Sequence, residues 1–336
     1  MSENSSSHTH RPVMSTQDNQ HSTYLAFSED SDNFDRYNYC LRRIIHLSHT
    51  PFQAVCVAET ANYGVTLFLD GMIQSAALDQ ELYHELLVQP AMLAHPAPRT
   101  VLVIGGGEGA TIWQTLRHKS VETATMVDLD SELINICREY LKDWHRGAFD
   151  DPRCRVVFLD GREFIVNDQD LYDVIIIDLS DLVSDSPALA LYTREFYLRI
   201  KRRLRPGGVV AVQALRFSFA DGRAHAMLAR TLKSVFEQVH SYSALIPSFL
   251  RGWGFLVASD WFDPNRLSAS AMNSTISKRL EVSLSHLTGE FFRSCCTHCS
   301  QAQRLLASDG PIFEDNKMGD LEKILTQLGE HVPQAK

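Results

Sequence analysis

The chain has 336 residues, room for about two domains at roughly 150 residues each. It is 44% hydrophobic and 22% charged, and 32 Lys and Arg against 41 Asp and Glu leave a formal charge of −9. This is the composition of a globular protein that buries a core without staples. The acidic balance argues against a general binder of nucleic acid or of acidic membranes.

Residues 1–22 are rich in Ser, Asn, Gln and His, carry no apolar stretch of signal-peptide type, and are predicted to be a disordered tail. Residues 23–97 are expected to form a small β-hairpin domain with a linking helix. Phe52–Glu59 and Val65–Leu69 flank a turn at Asn62-Tyr63-Gly64, and Asp70-Gly71 leads into Met72–Ser75. The helix runs from Asp79 to about His95, with Tyr83, Leu86 and Leu87 at helical spacing, and Pro96 and Pro98 end it. Over 98–260, strand-sized apolar runs recur at Thr100–Ile104, Thr123–Val127, Arg155–Leu159, Val174–Ile177, Val209–Val212 and Phe255–Ala258, mostly separated by amphipathic segments. That alternation predicts an α/β, Rossmann-like parallel sheet with helices on both faces. Residues 261–336 read as a C-terminal helical cap. No apolar run approaches the ~18 residues of a membrane span. Seven cysteines, an odd number, with Cys56, Cys137 and Cys154 inside apolar patterns, read as reduced thiols of a cytoplasmic protein. The basic cluster at Lys201-Arg202-Arg203 and Arg205 reads as favourable charge at a helix C-terminus.

Val101–Ile104 runs straight into Gly105-Gly106-Gly107-Glu108-Gly109, and a helix follows. Glycines between a strand and a helix N-terminus let the backbone turn sharply and approach a ligand, so Gly105 and Gly107 are candidate cofactor contacts. The next strand ends in Asp128, placed to bind ribose hydroxyls, while Asp130 suits a helix N-cap. The third ends in Asp160-Gly161, where a carboxylate can accept from an adenine amino group. Three such elements at successive strand ends point to an adenosine ligand. The fourth strand ends in Asp178 and, three residues on, Asp181, two carboxylates facing one crevice. Pattern alone therefore leads to an adenosine-binding enzyme with an acidic pocket and leaves the reaction open.

Between about Phe52 and Asp260, and more weakly to about Asn316, the chain resembles the polyamine aminopropyltransferases, the spermidine, spermine and thermospermine synthases. The strings that carry the resemblance are Pro51-Phe52-Gln53, Leu69-Asp70-Gly71-Met72-Ile73-Gln74, Asp79 with Tyr83-His84-Glu85, the glycine loop, and Phe149-Asp150-Asp151-Pro152-Arg153. Others are Asp160-Gly161, Asp178-Leu179-Ser180-Asp181, Leu191-Tyr192-Thr193 with Phe196-Tyr197, and Trp253-Gly254-Phe255. The resemblance implies a methyltransferase-type sheet and transfer of an aminopropyl group from decarboxylated S-adenosylmethionine, a co-substrate rather than a cofactor, to an amine. Putrescine giving spermidine is the first expectation, with 5′-methylthioadenosine released. By position it implies Asp178 as proton acceptor with Tyr83 assisting, and Asp181, His84 and Glu108 along the amine path. Gln53, Asp128, Asp160 and Gly161 would hold the thioadenosine, with Gln74 and Asp79 at the aminopropyl end and Trp253 a pocket wall. Small-molecule amine and nucleoside substrates, no metal, no nucleic acid, no membrane and a homodimer or homotetramer are the further expectations.

Several residues depart from that pattern. Glu108 stands where many spermidine synthases have Asp, Leu182 where Pro is usual, Phe249 where Tyr is common, and Gln80 where Glu is usual. Glu108, Phe249 and Leu191-Tyr192-Thr193 look more like the thermospermine and branched-polyamine branch, which points to spermidine as an alternative acceptor. Cys295-Cys296-Thr297-His298-Cys299 is spaced too tightly for paired Cys-x-x-Cys zinc geometry and reads as incidental thiols beside a family-like Thr-His pair. An S-adenosylmethionine-dependent methyltransferase and a non-catalytic paralogue are the competing expectations.

Overall fold

The computed structural model describes residues 17–19, 22–30, 36–180, 187–218, 220–261 and 268–320. The first layer is an antiparallel sheet in simple sequence order: β1 (Gln17–Asn19), β2 (Ser22–Asp30), β3 (Arg36–His49), β4 (Ala54–Thr60), β5 (Gly64–Leu69) and β6 (Met72–Ala76). The hairpins expected at 52–75 are there. The sheet also reaches upstream, and Gln17–Asn19 pairs with Ser22–Tyr24 inside the segment expected to be disordered, which corrects that end of the tail. Backbone pairing accounts for the difference, because a strand hydrogen-bonds through its main chain whatever its composition. The 14-residue β3, with no strict alternation of buried and exposed positions, is a strand that period-two patterning does not single out.

Helix α1 (Gln80–Ala94) follows and packs between the layers. The second sheet then forms from β7 (Thr100–Gly105), α2 (Ala110–Leu116), β8 (Thr123–Asp128), α3 (Ser131–Tyr140), α4 (Lys142–His145), β9 (Cys154–Phe158), α5 (Gly161–Asn167) and β10 (Tyr172–Asp178). It is completed by α6 (Arg194–Arg203), β11 (Leu204–Arg216), α7 (Arg223–Lys233), β12 (Gln238–Ile246) and β13 (Arg251–Ser259). The strand order is β12-β13-β11-β10-β7-β8-β9. Five strands are parallel, as expected, but β13 runs antiparallel to β11 and β12 antiparallel to β13. A tight hairpin joins β12 to β13, and only antiparallel strands can be joined so tightly. The cap contains α8 (Ala269–Arg279), α9 (Gly289–Cys295) and α10 (Ser300–Ala307).

Alternation along the central strands splits the core in two. Val101 and Val103 of β7 face a cluster shared with α1 and with Phe27, Tyr39 and Phe68 of the N-terminal sheet. Leu102 and Ile104 face a cluster with Phe196, Tyr197 and Ile200 of α6. Val55, Val57, Leu67 and Leu69 of the N-terminal sheet pack with Leu133, Cys137 and Trp144. The N-terminal sheet is thereby clamped over the carboxyl ends of β7 and β8. Those ends, at the point where the strand order reverses between β7 and β10, are where an open α/β sheet forms its crevice. All seven cysteines are free thiols, and no helix among the described residues is long and apolar enough to cross a membrane.

Candidate active site

A cavity of about 340 Å³ occupies that crevice. Gly105, Gly106, Gly107 and Glu108 form its floor. Asp128, Asp160, Gly161 and Asp178 come from the strand ends and Ala188 and Leu191 from beyond, while Gln53, Leu67, Leu69, Met72 and Gln74 cover it from the N-terminal sheet. Tyr83 enters from α1. The volume is in the range of a small-molecule site, lined by apolar side chains and a few convergent polar groups.

The glycine loop can turn this tightly only because of its residue type. Gly105 has φ +83°, and a Cβ on it would lie 2.1 Å from the backbone oxygen of Asp178. That close approach allows Gly106 N–H to donate to the same oxygen at 2.9 Å, locking the end of β10 to the loop. Gly161 is needed for packing, since its Cβ would sit 2.5 Å from Ile104 Cγ2.

Asp178 is buried, and its carboxylate accepts from Tyr83 Oη at 3.1 Å and from Thr111 Oγ1 at 2.5 Å. Burial first, then the Glu108 charge, push its carboxyl up to about 6, against His84, Thr111 and Tyr83, which favour the ionised form. Tyr83, buried and facing Asp178 and Glu108, is held well above the usual phenol range, so it stays a neutral donor. His84 is 1% exposed. Its Nδ1 lies 2.6 Å from Gln80 O and its Nε2 2.9 Å from Glu108 Oε1. Both partners accept, an arrangement that favours the form in which both ring nitrogens donate, the imidazolium. Burial opposes that charge, but Glu108 and Asp178 outweigh it and raise the pKa above its ordinary value. Burial likewise opposes ionisation of Glu108, and His84 overcomes it, so Glu108 is shifted down.

Asp128 is pushed up to about 7, chiefly by burial and then by Asp130, Glu108 and Asp178, although the Asp130 N–H donates to it. Asp130 caps α3, accepting from Glu132 and Leu133 N–H, and also accepts from Gln53 Nε2 at 2.9 Å. Gln53 thus sits on the cavity rim, tied to that cap. Asp160 accepts from Arg162 and Glu163 N–H as the cap of α5 while lining the cavity.

The remaining expected positions fall differently. Asp79 does not line the cavity. Ser248 donates to it through backbone N–H at 2.7 Å and through Oγ at 2.9 Å, so both its carboxylate oxygens are engaged by the protein. His84 does not line the cavity and meets it through Glu108, Asp178 and the Tyr83 ring. Gln74 lines the wall, and Asp181 and Leu182 lie outside the described residues. Trp253 is not a cavity wall either. Its Nε1 donates to Gln213 Oε1 at 3.1 Å, and its ring meets Phe249 edge-on. Sequence reasoning missed Thr111 and Gln213. Gln213 Nε2 donates to Leu179 O and to Tyr192 Oη, and Tyr192 Oη donates to Ser180 O, which pins the chain just beyond Asp178. Among the described residues, His84, Glu108 and Asp178 alone bring three potential metal-ligating atoms within 4.8 Å, and the His84–Glu108 hydrogen bond engages two of the three. Cys295, Cys296 and Cys299 form no such group.

The fold and this cavity define a Rossmann-like enzyme with a nucleoside-sized crevice closed at one end by carboxylates. Residues 80–266 match the spermine/spermidine synthase domain, and residues 25–76 match the spermidine synthase tetramerisation domain, which fits an oligomer. The chain is 56% identical over 288 residues to polyamine aminopropyltransferase 2 of Pseudomonas aeruginosa, covering 85% of this chain and 82% of that one. It is 44% identical over 250 residues to polyamine aminopropyltransferase 2 of Hyperthermus butylicus, covering 74% and 82%. A crystal structure of spermidine synthase in complex with the transition-state analogue AdoDATO matches with a TM-score of 0.79 at 28% identity, over 87% of this chain and 97% of that one. Spermidine synthase from Thermotoga maritima matches at 0.77, also at 28% identity and over the same shares of the two chains. The chain belongs to the spermine/spermidine synthase family and is an aminopropyltransferase.

Proposed function

We propose that the protein transfers the aminopropyl group of decarboxylated S-adenosylmethionine to putrescine, giving spermidine and 5′-methylthioadenosine, with Asp178 as general base. The observation that carries this reading is the placement of Asp178, a buried carboxylate at the cavity end, oriented by two hydroxyl donors. An alkylamine with a pKa near that of Lys, ~10.4, is neutral in fewer than about one molecule in a thousand at pH 7. Freeing its lone pair costs about 4–5 kcal/mol. Asp178 takes the proton, the amine nitrogen attacks the propyl carbon beside the sulfonium, and the C–S bond electrons return to sulfur as the neutral thioether leaves. Held in line, the two substrates gain the rest as proximity. In this reading Asp128 and Asp160 would hold the nucleoside, and Glu108 and Asp181 would meet the cationic amine.

A second reading, spermidine as acceptor, is favoured by Phe249, whose ring sits edge-on to Tyr83 with centroids 5.8 Å apart. Phe249 does not itself line the cavity, but it puts no hydroxyl behind Tyr83, where a tyrosine would offer a short diamine's end a polar anchor. Incubation with decarboxylated S-adenosylmethionine and putrescine, spermidine or cadaverine, read by mass spectrometry, separates the two. Methylthioadenosine is expected with putrescine. Product with spermidine alone moves the protein to the second reading, and none in any tube overturns both. An Asp178→Asn protein as active as wild type would remove the base.

A further inference from the structure

Asp178 is gripped from two sides by groups of different standing. Tyr83, which donates to Oδ1, lines the cavity and can meet substrate. Thr111, which donates to Oδ2 at 2.5 Å, is fully buried in the first turn of α2 and does not line the cavity. A hydroxyl outside the cavity that bonds the proton acceptor influences the reaction through that acceptor.

Asp178 is faced by Tyr83 and His84 from α1, by Glu108 and Thr111 from the glycine loop and α2, and by Asp128 from β8. Glu108 and Asp128 are acids and oppose its ionisation. His84 is the cation, but its Nε2 is 4.0 Å from Asp178 Oδ2 and 2.9 Å from Glu108, so its proton is directed at Glu108. Direct hydrogen bonds to the Asp178 carboxylate therefore come from the two hydroxyls, and a bond to an ionised acceptor is of the stronger kind.

We propose that Thr111 is a positioning residue for aminopropyl transfer: its hydroxyl anchors Asp178 Oδ2 on the glycine-loop side and keeps the carboxyl group in its proton-accepting form. This rests on Asp178 being the base. The fixed Oδ2 turns Oδ1 toward the cavity, where it can take a proton from the amine while still accepting from Tyr83. Without the hydroxyl, burial and Glu108 act against one donor fewer, and the carboxyl keeps its proton to higher pH.

The test compares Thr111→Val, Thr111→Ser and Asp178→Asn with wild type. It follows kcat/KM for the amine at saturating decarboxylated S-adenosylmethionine, from about pH 5.5 to about pH 9.5. A shift of about one pH unit on losing the donor predicts Thr111→Val about fivefold below wild type near pH 6. Near pH 9 the two converge to within about twofold, and Thr111→Ser tracks wild type throughout. Thr111→Ala reads the same shift should the valine protein fail to fold. A Thr111→Val to wild-type ratio that is the same at every pH, or a serine variant that fails to restore the profile, overturns the proposal. Full activity in Asp178→Asn overturns the base assignment instead.

Discussion

Replacing His84 with Gln removes the only cation in direct contact with the acidic end of the cavity among the described residues, while keeping an N–H donor. His84 Nε2 is 2.9 Å from Glu108 and 4.0 Å from Asp178. At 4.0 Å and an effective dielectric near 20, unit charges interact by about 4 kcal/mol, which bounds the rise in the Asp178 pKa at about three units. Because the imidazolium is shared with Glu108, the expected rise is about one to three units from about 6. The ionised fraction of Asp178 at pH 7 then drops from about nine-tenths to between about a half and about a hundredth. Activity at pH 7 should fall between about twofold and about ninetyfold, and recover as pH rises through the new value. The assay is release of methylthioadenosine against pH, with both substrates saturating. An acid limb that stays where it is in wild type, or an activity loss equal at all pH values, would show that His84 does not hold the charge state of the base.

Two further outcomes follow from buried carboxylates. Asp128, raised to about 7 by burial, would gain donors from ribose hydroxyls in its proposed role, and its pKa would fall in the complex. The free protein then holds the extra proton, and methylthioadenosine affinity rises with pH up to about 7 and levels off, with about 0.7 proton released per site near pH 6.5. Calorimetry in buffers of different ionisation enthalpy measures this, and zero release would contradict the assignment of Asp128 to the ribose. Glu85, fully buried beside His84, accepts from the N–H groups of Ser285, His286 and Leu287 at 2.7, 2.9 and 2.8 Å and lies 3.6 Å from Arg117. Glu85→Gln should destabilise the protein by about 3–5 kcal/mol, because it removes the buried carboxylate beside Arg117 and turns an amide N–H₂ toward backbone donors. A thermal unfolding midpoint within about 2 °C of wild type would refute that account.

The local parts of the site were legible in the sequence. A strand, a glycine turn and a helix N-terminus are consecutive, so Val101–Gly109 announces its geometry within nine residues. The acids at or just beyond the ends of β8, β9 and β10 follow from where the apolar runs stop, and the Asp130 cap from the two residues after it. The mostly parallel sheet could be read because doubly buried strands leave unbroken apolar runs. β12, half-exposed at the sheet edge with no regular alternation, leaves no such trace.

What the tertiary structure decided are the partners. Whether a carboxylate serves chemistry or packing depends on what faces it, and the facing groups lie far off along the chain. Asp79 shares the motif neighbourhood of Tyr83 and His84, yet Ser248, 169 positions away, takes both its oxygens. Thr111 is unremarkable in its helix until folding brings it 2.5 Å from Asp178. His84 is one more helix-face histidine until Glu108 meets its second nitrogen. Residue types and spacing along the chain state which chemistry is possible. Burial and non-local contact set its charge states, because both the desolvation and the hydrogen bonds that shift a pKa exist only once distant segments have packed.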